Sequence, residues 1–118
     1  MANRNGISDS MKNCNKITNQ KLNELKQFFG AYYHQDWTLD ASDPDDVVRL
    51  FIRDENSTSK LLNLANNLER YVAAKEDEAT TEKELLSELG CYYVPSADGI
   101  GAQEWLYHVV RLLRSAAE

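Results

Sequence analysis

The chain has 118 residues, 42% of them hydrophobic and 27% charged, which suits one domain with a single core and excludes a disordered chain. Its formal net charge is -6, and its 13 lysines and arginines are interspersed among 19 acids. Phosphate recognition wants clustered cations, so this balance argues against a nucleic-acid ligand.

The acids gather in two blocks. From Asp36 to Glu55 there are seven (Asp36, Asp40, Asp43, Asp45, Asp46, Asp54, Glu55) against Arg49 and Arg53. From Glu69 to Glu88 there are seven more (Glu69, Glu76, Asp77, Glu78, Glu82, Glu84, Glu88) against Arg70, Lys75 and Lys83. A dense negative face selects a basic partner and speeds the encounter with it.

Residues 1–16 are Asn-rich and aperiodic and read as a flexible leader; residues 17–118 read as a single helical domain. The leader has no apolar signal core, and no run approaches the length of a bilayer span. Cys14 and Cys91, with no CxxC spacing, read as two free thiols in a reducing compartment. A soluble cytoplasmic protein is expected.

Five helices are predicted in chain order. The first starts at Thr18 or Asn19 and carries Leu22, Leu25, Phe29, Tyr32 and Tyr33 at helical spacing, with Gly30 allowing a close neighbour. The second opens on Asp43-Pro44-Asp45-Asp46, a cap, a first-position proline and two acids that complement the helix dipole. Val47, Val48, Phe51 and Ile52 form its inner face. The third runs from about Ser59 to Ala74, with Leu61, Leu64, Ala65, Leu68, Tyr71 and Val72 in one stripe. The fourth begins at Thr81-Glu82-Lys83-Glu84, read as a capping box, and stops at Gly90. Cys91 to Gly101 is read as an extended connection containing Pro95 and an Asp98-Gly99 turn. The last helix, from about Ala102 to Ala116, buries Trp105, Leu106, Val109, Leu112 and Leu113. The predicted fold is all-α, a compact bundle of about five helices with short to medium loops.

Catalytic chemistry has little support. His34 and His108 each stand alone, without HExxH or any other metal-ligand spacing, so no metal and no cofactor is expected. His34 reads as a hydrogen-bonding group at a helix exit, His108 as a half-buried packing residue. Cys91 has no base beside it in sequence and reads as core. The adjacent acids Asp45 and Asp46 point about 100° apart on a helix and do not form a shared site. An enzyme is not expected. Among the crowded aromatics, at least one of Phe28, Tyr33, Tyr92 and Tyr93 should stay partly exposed, because one helix face cannot hold adjacent pairs.

The run from Phe28 to Trp37 (Phe-Phe-Gly-Ala-Tyr-Tyr-His-Gln-Asp-Trp), followed by Leu39-Asp40 and Asp43-Pro44-Asp45-Asp46-Val47-Val48, resembles immunity proteins of contact-dependent growth inhibition systems. Leu89-Gly90-Cys91-Tyr92-Tyr93-Val94-Pro95, Asp98-Gly99 and Trp105-Leu106 resemble the same family's second block. The resemblance covers about Leu22 to Leu113. It implies a bacterial antitoxin that binds the C-terminal toxin domain of a large surface effector, and such toxins are often nucleases acting on RNA. It also implies that Gly30, Asp36, Trp37, Gly90 and Trp105 belong to the scaffold. On exposure and charge, the residues expected to meet the basic partner are Asp45, Asp46, Asp54 and Glu55, with Glu76, Asp77 and Glu78 as a second patch. Tyr92, Tyr93 and Asp98 are expected at the less charged centre. The competing reading is a helical adaptor or regulatory protein for a basic partner that is not a toxin.

Overall fold

The structure, a computed structural model, describes residues 18–55 and 57–118. The leader and Cys14 lie outside the described residues. Six α-helices and one 3₁₀ turn follow in order: α1 Asn19–Tyr32, α2 Trp37–Asp40, α3 Pro44–Glu55, α4 Thr58–Ala73, α5 Glu78–Ser87, the turn Pro95–Asp98, and α6 Ala102–Ala117. No strand occurs among the described residues, as the all-α reading requires. The one helix absent from the predicted set is α2, a single turn too short to show periodicity.

The predicted starts of α1 and α3 hold because their caps form. Thr18 Oγ1 accepts the Lys21 N–H at 3.3 Å, and Asp43 Oδ1 accepts the Asp46 N–H at 2.9 Å. Ser57 caps α4 in the same way, with Oγ 3.4 Å from the Lys60 nitrogen. The capping box at Thr81 does not form. Asp77 is the N-cap of α5 and accepts the Thr80 N–H at 2.6 Å, which draws the helix start three residues back to Glu78. Thr81 is fully buried, its hydroxyl donating to the Asp77 carbonyl at 2.6 Å, and Glu84 pairs with Lys75 instead. At the far end of α5 the last turn widens: the Leu89 N–H reaches the Glu84 carbonyl and the Cys91 N–H the Leu85 carbonyl. Gly90 makes that exit with φ of +72°, a left-handed conformation that favours glycine.

Helix α6 is the centre of the bundle. It packs most extensively on α4 and also meets α5, α3 and the 3₁₀ turn. Leu106, Val109 and Leu113 on it are wholly buried, as are Leu68 on α4 and Leu85 on α5. The Arg114 guanidinium ties α6 to α4 through Glu69, with nitrogens 2.7 and 3.2 Å from the two carboxylate oxygens. Helix α1 packs on α4 and α3 and buries two faces, so the adjacent Phe28 and Phe29 go inside on different faces, while Tyr92 is the aromatic of the crowded set that stays exposed. Phe28 meets Phe51 of α3 edge-on, with ring centroids 4.9 Å apart, while Phe29 turns to Trp105 of α6 at 6.2 Å. A helix wedged between two neighbours has two inner faces, so both residues are core. Gly30 is exposed and a Cβ there would meet nothing, so the close approach proposed for it is absent.

Phe29 is fully buried on α1. Phe29→Ala is expected to destabilise the fold by about 3–5 kcal/mol, from lost transfer energy plus the cavity left behind. Chemical denaturation with an unchanged m-value checks it; a loss under about 1 kcal/mol would contradict the packing described.

Candidate functional site

The side chains at the α1 exit organise the surface above them. Tyr33 is fully buried, and its hydroxyl donates to the Pro44 carbonyl at 2.7 Å, at the first residue of α3. Its own carbonyl accepts the Tyr92 N–H at 2.9 Å, which fixes the loop after α5. Trp105 stands edge-on to Tyr33 at 5.2 Å and touches Tyr93 at 4.9 Å. Trp37 meets Tyr93 edge-on at 5.8 Å. These contacts hold the start of α3, the loop around Tyr93 and the 3₁₀ turn side by side.

Two adjoining clefts open where those elements meet. One, of about 230 Å³, is lined by Asp43, Asp45, Tyr93, Asp98, Trp105 and His108, among others. The other, of about 530 Å³, shares Asp43, Tyr93 and Asp98 with it and adds Trp37, Tyr92 and Ala97. Neither has a lysine or arginine in its wall. His108 Nε2 lies 3.0 and 3.1 Å from the two carboxylate oxygens of Asp45. The Tyr93 hydroxyl donates to Asp98 Oδ2 at 2.8 Å.

The sequence-predicted residues therefore separate. Asp45, Tyr92 and Asp98 come together at these clefts. Tyr93 is brought there too, but it is only 5% exposed and cannot be a contact surface. Its ring is packed into the aromatic cluster, and its neighbour Tyr92, at 60% exposed, is the aromatic left outside. Asp46, Asp54 and Glu55 run along α3 and are paired with Arg49, Arg53 and Lys60 respectively. Their charge is largely answered within the molecule.

The second patch is divided by its structural duties. Asp77 is engaged as the α5 cap, and the bond from Thr80 holds its carboxyl below the usual aspartate range. Glu78 Oε1 accepts the Gln103 N–H at 2.6 Å and so caps α6, whose own preceding residue, Gly101, has no side chain to do it. A Cβ on Gly101 would stand 2.6 Å from that carboxylate, so the missing side chain is what admits Glu78. Glu76 is exposed. Sequence reasoning missed Asp43 as a member of the site because its capping role accounted for it completely. The signal was present in the cluster Asp43-Pro44-Asp45, but only the fold brings Asp98 beside it.

His34 behaves as the sequence suggested, whereas His108, read as a packing residue, pairs with Asp45 in the wall of the smaller cleft. His34 Nδ1 accepts the Asp36 N–H at 3.1 Å, so its Nε2 carries the proton toward Asp40 at 2.8 Å. The wall of the His108 cleft contains no serine, threonine or cysteine. Cys91 is buried, its thiol directed to the Tyr93 carbonyl at 3.4 Å, and burial pushes its pKa up to about 12. Among the described residues no group of His, Cys, Asp and Glu is placed to hold a metal ion, and no helix is long and apolar enough to cross a membrane.

Residues 21–113 match the family model described as CdiI immunity protein. The chain belongs to the CdiI immunity protein family. The matched span runs from the first turn of α1 to near the end of α6. No curated protein and no solved structure matches the chain. Membership of the CdiI family makes this an immunity protein against a contact-dependent growth inhibition toxin, and its partner the cognate toxin. Trp37, Gly90 and Trp105 are scaffold in this family member, with the packing and backbone roles described above. Asp36 is exposed and makes no side-chain cap, so nothing in the structure gives its carboxylate a scaffold role.

Two measurements follow from the buried groups. Burial raises the phenol pKa of Tyr33, Tyr71 and Tyr93, so each favours the fold fully below its ordinary value near 10 and progressively less as pH rises beyond it. Stability is expected to fall on the alkaline side, with tyrosinate absorbance from these residues developing together with unfolding. Site-resolved mass spectrometry should find Cys91 alkylated by iodoacetamide at neutral pH only at a rate set by opening of the fold. Rapid modification under native conditions would contradict its burial.

Proposed function

We propose that this chain neutralises the C-terminal toxin domain of its cognate effector by tight, stoichiometric binding, and that the toxin is a nuclease acting on RNA whose basic surface is covered by an acidic face of this protein. The reading is carried by one observation beyond the family match: the clefts at the start of α3 bring Asp43, Asp45 and Asp98 together with no lysine or arginine in their walls. A nuclease must bind phosphate and is basic where it does so, so such a face is complementary to the surface that has to be blocked. The exposed ring of Tyr92 borders the acids and supplies an apolar body with a polar tip, a favourable element at an interface.

Inhibition by occupancy asks nothing of the immunity protein chemically. It asks for a preformed surface and a long residence time. The paired acids Asp46, Asp54 and Glu55 add little net charge at long range, whereas the capping acids Asp77 and Glu78 and the exposed Glu76 contribute to the field that draws the partner. Electrostatic steering raises the association rate at low salt, up to about 10⁸–10⁹ M⁻¹s⁻¹ at the extreme.

The test is titration of the purified toxin domain, with RNA as substrate, against this protein. Cleavage is expected to cease at one equivalent, and the association rate to fall steeply as salt is raised from low to physiological strength. Persistent cleavage at excess protein overturns the reading. Inhibition with an association rate indifferent to salt overturns the electrostatic part alone.

A further inference from the structure

Trp105, a residue of the smaller cleft's wall, carries a buried donor with nothing to bond. The Trp105 indole Nε1 is shut off from solvent and has no hydrogen-bond partner among the described residues, in a side chain only 2% exposed. Buried indole N–H groups normally find an acceptor, so a lone one on a cleft-lining residue leaves a bond that a partner's acceptor can complete. The same cleft is bounded by Asp43, Asp45 and Asp98, of which Asp43 caps α3, Asp45 faces His108 and Asp98 holds the Tyr93 hydroxyl. Each of these carboxylates spends only part of its capacity on its internal bond, since an ionised carboxylate offers about four acceptor positions.

We infer that this cleft is the seat for one arginine of the toxin, its guanidinium shared among Asp43, Asp45 and Asp98 and an oxygen of the same segment accepting from Trp105 Nε1. The inference rests on the immunity reading and names the side chain that reading leaves open. Arginine is favoured over lysine by the layout. The three carboxylates come from the α3 cap, the α3 first turn and the 3₁₀ turn, and a forked guanidinium can donate in several directions where an ammonium acts as a compact point charge. The positive end of the α3 dipole opposes a cation here, but Asp43, Asp45 and Asp46 already stand against it. Burial is the first cause that disfavours ionisation of the Tyr33 and Tyr93 phenols; behind it, Cys91, Asp45 and Asp43 act on Tyr33, and the Asp98 bond and Asp45 on Tyr93.

The indole N–H of Trp105 is its own reporter. In a proton–nitrogen NMR titration of the full chain, with the two indole signals assigned through Trp37→Phe, N-acetyl-arginine N-methylamide should shift the Trp105 signal saturably. The norleucine analogue should leave it in place, and the lysine analogue should act more weakly. Asp43→Asn keeps a competent cap and Asp98→Asn keeps an acceptor for Tyr93, so the double variant removes charge without removing the fold. It should abolish the arginine response and weaken binding of the toxin domain about tenfold or more. An unmoved Trp105 signal, or equal shifts from arginine, lysine and norleucine amides, overturns the assignment. So does a double variant that holds the toxin domain as tightly as the parent, and in that case the immunity reading stands. If the arginine amide and the toxin domain both bind as described while RNA cleavage continues, the cleft stands and the proposed occlusion of a nuclease falls.

Discussion

Tyr33 is the joint on which the arrangement depends. It lies just past the last residue of α1, wholly out of solvent, and bonds in two directions: its hydroxyl to the Pro44 carbonyl and its carbonyl to the Tyr92 N–H. Its ring meets Phe29, Trp37, Tyr93 and Trp105. One side chain thus sets the end of α1, the start of α3, the loop after α5 and the inner face of α6 relative to one another. A phenol suits this post because its ring supplies the apolar contact while its single polar atom donates to the Pro44 carbonyl and ties down the start of α3. Phenylalanine would remove that tie between α1 and α3, and a smaller residue would leave a void among the surrounding aromatic rings.

The charge pattern divides into three kinds of work. Some acids hold helices, as Asp43, Asp77 and Glu78 do at the starts of α3, α5 and α6. Some are answered by cations on their own or neighbouring helices, as Asp46, Asp54, Glu55, Glu69 and Glu84 are. A third group faces the clefts with only neutral or weakly basic neighbours. A net charge of -6 does not reveal this division. Exposed ion pairs contribute little to stability, but they cancel field locally, so their distribution decides where a cationic partner is drawn.

Most of the fold was legible in the sequence because its helices carry full local signals. Thr18, Asp43-Pro44 and Gly90 act where propensity places them, and the stripe from Leu61 to Val72 is buried as its period requires. The failures share one cause, competition between near-equivalent local options. Asp77 and Thr81 are both good caps, and the choice turned on Glu78 being wanted by α6, some 25 residues away. Phe28 and Phe29 could not be separated by period alone, since period does not say how many neighbours a helix has. Tyr92 and Tyr93 alternate across an extended segment, and which of them is inside depends on Trp105 and Trp37. The cleft joins Asp43 and Asp45 to Asp98, and no local pattern links residues that far apart.

The site's architecture bears on how a protein of this family can be specific while keeping one fold. Asp43 and Asp45 do double duty, because the first starts a helix and the second holds His108. Replacing either by a residue of another class costs structure, and in the proposed complex it would cost recognition as well. Tyr92 carries no such burden: its side chain is exposed, and only its backbone N–H is engaged. The same holds for Ala97, which is exposed on the 3₁₀ turn and lines the larger cleft. In the proposed complex the anionic cleft would then provide attraction and register, and the loop side chains around it would decide which toxin fits. Such a division lets partner choice change by surface substitution, each costing little stability, above a core whose aromatic contacts leave it no freedom to follow.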